Sequence, residues 1–92
     1  MDAIDFDQFV NLLRGRIGAA DAIEGNHELH SFRELMADYA DVTPDKWYWD
    51  AFKELDVQGH LSPTSRVAKG GDANARLSDD GRLYLGEVGA AE

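Results

Sequence analysis

Few residues in this chain have the type and spacing for chemistry. His27 and His30 stand three apart with Glu24 and Glu28 beside them, which raises the question of a metal site. The spacing is not that of a helical His-Glu-x-x-His zinc motif, and the absence of cysteine removes the thiolates that close most structural zinc sites. A solvated turn is the expected setting for both histidines, with no metal. The chain has eighteen acidic residues, yet no two are spaced so that burial would separate their pKa values. No Ser-His-Asp grouping is apparent. Gly70-Gly71 is too short to cradle a phosphate or dinucleotide and reads as a turn. The sequence therefore predicts neither an enzyme nor a bound cofactor.

Binding is the better supported chemistry. Lys46, Trp49, Asp50 and Lys53 recur at i, i+3, i+4 and i+7, so on a helix they would share one face. Downstream, the segment from His60 to Ser78 carries Arg66, Lys69 and Arg76 against a single acid, Asp72. Such a basic segment suits phosphate oxygens, which supply most non-specific affinity for nucleic acid. It also suits the simpler task of keeping a sheet edge soluble. The rest of the chain pulls the other way, since residues 1–58 hold thirteen acids against five bases and the formal net charge is −9. Trp49 with Asp50 and Glu54 beside it would suit a protein partner. A third reading makes the acidity an adaptation to a salty cytoplasm, without reference to any partner.

The elements that must position these residues are legible from periodicity. Phe6, Phe9, Val10, Leu13 and Ile17 define an amphipathic first helix that should end near Gly18. Residues 19–30 show no clear period, and Gly25-Asn26 signals a turn. Ser31-Phe-Arg-Glu34 is a capping box opening a second helix with Phe32, Leu35, Met36 and Tyr39 on its apolar stripe. Thr43 fits an N-cap and Pro44 a first helical position, opening a third helix whose core face is Tyr48, Ala51, Phe52 and Leu55. Trp47 is expected to pack toward the second helix and Trp49 to be exposed. After Gly59, Leu61, Ser65 and Val67 line a strand interrupted at Pro63. Lys69-Gly-Gly-Asp72 turns it back, residues 75–77 return as a second strand, and Ser78 caps a last helix bearing Tyr84, Leu85 and Val88.

Helix, strand, turn, strand and helix in that order, with Leu55, Gly59, Leu61, Leu77, Ser78, Gly81 and Leu85 at their observed spacing, resembles the winged helix-turn-helix superfamily. The likeness is to its MarR-like and PadR-like domains and covers roughly Phe6 to Val88. It implies an α+β, mostly α fold with a three-helix core, one β-hairpin wing and a C-terminal helix. It further implies a DNA-binding transcriptional regulator whose third helix, Thr43 to Leu55, enters a major groove while the wing from His60 to Ser78 touches the neighbouring backbone. The binding candidates are then Lys46, Trp49, Asp50, Lys53, Arg66, Lys69 and Arg76. Double-stranded DNA is the first candidate partner and a protein bound through Trp49 the alternative. A homodimer would double the small number of bases available to phosphate.

Ninety-two residues suffice for one domain with a small core. Without cysteine, packing alone must hold it. No apolar run approaches a membrane span and the amino terminus is acidic, so a cytoplasmic protein is expected.

Overall fold

The computed structural model describes residues 3–24, 29–68 and 72–88. The first helix, α1, runs Phe6–Glu24. Its start is fixed by a reciprocal cap: the Gln8 amide donates to Asp5 Oδ1 at 2.8 Å and the Asp5 amide to Gln8 Oε1 at 2.9 Å, so two otherwise unpaired helix-end donors gain acceptors. Phe9, Val10, Leu13 and Ile17 are buried along one face. The helix does not stop at Gly18 as its sequence predicts. A Cβ at Gly18 would lie 2.4 Å from Leu85 Cδ1 and 3.2 Å from Leu77 Cδ1, so this glycine admits the later part of the chain against the helix instead of ending it.

A two-residue strand, β1, His30–Ser31, leads directly into α2, Phe32–Leu35. The Glu34 amide donates to Ser31 Oγ at 3.4 Å, which is one half of the capping box; a return bond from the Ser31 amide to the Glu34 side chain is absent among the described residues. The helix then breaks at Met36 and continues as a 3-10 turn, Ala37–Tyr39. A side chain of α1 meets this break. Arg16 Nη1 donates to the Leu35 carbonyl at 2.7 Å, the group that the Tyr39 amide would need for a further α-turn. That amide bonds Met36 O instead.

The third helix, α3, is Lys46–Val57, two residues shorter at its start than Thr43 and Pro44 imply. Thr43 does not cap it. The Thr43 hydroxyl donates backward to Tyr39 O at 2.8 Å, and the first turn is closed by amides of Trp47 and Tyr48 reaching Pro44 O and Asp45 O. At the other end Gly59 has φ of 75°, the His60 amide reaches Leu55 O, and the Gly59 amide reaches Asp56 O. This is a Schellman closure, which favours glycine because of the left-handed residue.

Strands β2, Arg66–Ala68, and β3, Asp72–Ala75, form an antiparallel hairpin, and β1 pairs with the other side of β3. The order is thus β1-β3-β2. Before β2 the chain turns at Pro63-Thr64, while Leu61 bridges Leu77 farther along. The expected strand over residues 75–77 is displaced toward the turn, with β3 ending at Ala75 and Leu77 persisting as that bridge. Ala73, Ala75 and Leu77 alternate inward onto the core. The last helix, α4, Asp79–Val88, is capped as predicted: Ser78 Oγ accepts from the Gly81 amide at 3.1 Å and donates to Gly59 O at 2.6 Å. Helices and a small antiparallel sheet thus enclose one apolar cluster centred on Phe9, Leu13, Phe32, Tyr48 and Leu55. The predicted turns at Gly25-Asn26 and Lys69-Gly-Gly, with His27, lie outside the described residues.

Candidate nucleic-acid interface

The two faces of α3 divide as the helical spacing requires. Tyr48, Ala51 and Leu55 are buried and Phe52 half-buried, whereas Lys46, Trp49 and Lys53 are exposed and Asp50 is half-buried. The four candidate residues on this helix therefore do form one outward stripe. Trp49 is 44% exposed, with the Lys53 ammonium 5.6 Å from its ring centre, a cation-π distance. Trp47 behaves differently. It packs edge-on against Phe6 and Phe9 of α1, centroids 5.6 and 5.5 Å away.

The sheet supplies the second part. Arg66 pairs opposite Asn74, and Ser31 of β1 also registers with Asn74. Directly paired residues share a sheet face and alternate residues return to it. Arg66, Asn74, Ser31 and Arg76 thus occupy the face away from Ala73, Ala75 and Leu77. Arg76 is half-buried and reaches a groove of about 520 Å³ whose lining also includes Ser62, Ser78 and Arg82 and two carboxylates, Asp79 and Asp80. Of the seven candidates, Lys69 lies outside the described residues.

The cations sort into three groups. Arg16 is bound by Asp38 at 2.6 Å, Arg33 by Asp45 at 3.4 Å, and Arg82 by Asp79 at 2.6 Å. Arg14 is 2% exposed and lies 4.5 Å from the centre of the Tyr84 ring, with hydrogen bonds to Asn11 and Gln58. Its burial lowers the guanidinium pKa, opposed by Tyr84 and Glu54. Lys46, Lys53, Arg66 and Arg76 form no ion pair among the described residues. All four lie on α3, on β2 or just beyond β3.

Two polar clusters escaped the sequence reading. His30 is not in a solvated turn. Its Nε2 lies 2.8 Å from Asp21 Oδ1, both residues are buried, and Asp21 Oδ2 accepts from the Leu77 amide at 3.0 Å. The i to i+9 separation carries no local signal. The second is His60, buried with its ring 4.8 Å from that of Tyr84. Burial, reinforced by Arg14 and opposed by Asp80, holds its pKa below the ordinary value. Among the described residues no three His, Asp or Glu side chains converge as metal ligands, and no helix is long and apolar enough to cross a membrane. Comparison with protein-family models, curated proteins and solved structures returned no match.

Proposed function

We propose that this chain is a winged helix that reads double-stranded DNA, with α3 as the groove-entering helix and the β2-β3 hairpin as the wing. The fold reading is supported by topology. A short strand between α1 and α2 pairs with the returning strand of a hairpin that follows α3, in the order β1-β3-β2. The chain before α3, with its 3-10 turn, then supplies the helix-turn-helix.

The DNA reading rests on one observation. The exposed or half-buried cations that lack a carboxylate among the described residues, Lys46, Lys53, Arg66 and Arg76, are confined to α3 and the hairpin segment. Cations elsewhere among the described residues are neutralised or buried. A net charge of −9 opposes approach to a polyanion, so the attraction should be short-ranged and come from these cations at contact, and binding should weaken as salt rises. Each phosphate neutralised adds about −0.9 to the slope of log K against log salt. Selection from random duplexes at low salt should enrich a sequence. Lys46→Ala and Arg66→Ala should each make the slope shallower by about one. No enrichment and no salt-dependent complex would reject the reading.

A protein partner is the second reading, favoured by the 44% exposure of Trp49 beside Asp50 and Glu54. In that case Trp49→Ala abolishes partner capture while Arg66→Ala leaves it unchanged, whereas phosphate-led binding weakens in Arg66→Ala.

A further inference from the structure

The outward stripe of α3 holds an acid among its cations. At 3.6 residues per turn Lys46 and Lys53 lie nearly in line, and Asp50 and Trp49 stand about 50° to either side of that line. Both lysines are exposed and Asp50 is half-buried. No ion pair among the described residues includes Lys46, Asp50 or Lys53, so the carboxylate is not already spent on a neighbouring ammonium. The other two acids of the helix are placed differently. Glu54 accepts from Gln58 Nε2 at 3.1 Å, and Asp56 lies in the last turn, far from the N-terminal residues with which a groove-entering helix meets base edges.

We propose, resting on the DNA reading of α3, that Asp50 selects a cytosine by accepting a hydrogen bond from its N4 amino group. An ionised carboxylate has acceptors and no donor. In the major groove guanine presents only the N7 and O6 acceptors, and thymine an O4 acceptor with a methyl group, so either base leaves the carboxylate desolvated and unpaired. Adenine has an N6 donor, but the N7 acceptor beside it repels the second carboxylate oxygen. Cytosine alone offers a donor with no acceptor of its own at its side. Reversing the C·G pair turns the guanine acceptors toward Asp50, so orientation is selected together with identity. Lys46 and Lys53, about one turn away on each side, offset the repulsion between a lone carboxylate and the polyanion. The acid thus rejects three bases at one position at little cost to the approach of the helix.

Selection from random duplexes with the native chain, Asp50→Asn and Asp50→Ala tests the assignment. The native site should hold cytosine at one position. Asp50→Asn adds a donor to the acceptor and should replace that cytosine with adenine, through a bidentate contact to N6 and N7, while the rest of the site is kept. Asp50→Ala should lose the preference at that position alone. A duplex carrying 2-pyrimidinone there, which lacks the N4 amino group, should weaken binding of the native chain roughly tenfold more than binding of Asp50→Ala, the scale of one lost base contact. A purely structural role for Asp50 would not single out one atom of one base. If the native chain enriches a site and both variants enrich the same base at every position, or the altered duplex weakens native and Asp50→Ala chains equally, the inference is overturned and the DNA reading stands. No enriched site for the native chain overturns both, the outcome expected of a protein partner. Should either variant misfold by circular dichroism, the other still decides: Asp50→Asn through the change of base, Asp50→Ala through the altered duplex.

Discussion

Asp21 Oδ1 and His30 Nε2 lie 2.8 Å apart with both residues buried, and the second oxygen of Asp21 holds the Leu77 amide. One carboxylate thus fastens the late turns of α1 to β1 and to the chain entering α4. Removing it strands an imidazole and an amide donor in a dry setting. Asp21→Ala should destabilise the fold by about 2–4 kcal/mol, and Asp21→Asn, which keeps an acceptor, by about 1–2 kcal/mol. Urea unfolding followed by circular dichroism measures both. A loss under about 0.5 kcal/mol for Asp21→Ala would show that the link does not hold the fold.

His60 predicts a pH dependence of definite sign. Its pKa in the folded chain is depressed below the ordinary value of 6.5, first by burial and then by Arg14. As pH falls below 6.5 the unfolded chain takes up its proton first, so stability declines until the folded pKa is passed. His60→Phe keeps a ring on Tyr84 but cannot titrate. The difference in unfolding free energy between native and variant chains should therefore shift toward the variant over that range and be flat above it. Comparing the two chains cancels His27 and His30, and a constant difference across the window would contradict the assignment.

The elements that the sequence announces are those whose signals are local. Phe9, Leu13 and Ile17 mark the buried face of α1, Ser78 caps α4, and Gly59 closes α3, each through groups within a few residues. What was not legible depends on distant chain. Gly18, inside α1, packs under Leu85 and Leu77, and the break of the second helix meets Arg16. Strand β1 is only His30–Ser31, too short for any alternation. Thr43 has the composition of a cap but donates to Tyr39 O. The outward stripe of α3 was legible because helical period alone assigns it, whereas the ion pairing that singles out four cations required the folded arrangement.

Two helical glycines should respond oppositely to alanine. At Gly15 an added Cβ meets nothing within 4 Å, so Gly15→Ala should stabilise by about 0.5–1 kcal/mol through helix propensity and reduced unfolded-state freedom. At Gly81 the same Cβ would lie 2.5 Å from His60 O, a backbone atom tied to Ser78 and unable to swing aside. Gly81→Ala should cost about 1–3 kcal/mol as an overpacking strain. Thermal melts of the pair check the order, and a stabilised Gly81→Ala would mean that α4 sits farther from His60.

The two tryptophans should separate stability from the proposed binding. Trp47 wedges edge-on between Phe6 and Phe9, centroids 5.6 and 5.5 Å away, so Trp47→Ala should cost about 2–3 kcal/mol, combining lost burial with two aromatic contacts. Trp49 is 44% exposed with the Lys53 cation over its ring, and Trp49→Ala should change stability by under about 1 kcal/mol. Its loss should instead weaken binding, to DNA by removing apolar contact in the groove and to a protein by removing an anchor. In a Trp47→Phe chain the remaining indole reports on Trp49 alone. Acrylamide, which is neutral and so not repelled by Asp50 or Glu54, should quench its fluorescence readily in the free chain and less in the complex. Equal quenching in both states, with binding intact in Trp49→Ala, would remove Trp49 from the reading face and leave Lys46, Lys53, Arg66 and Arg76 to carry it.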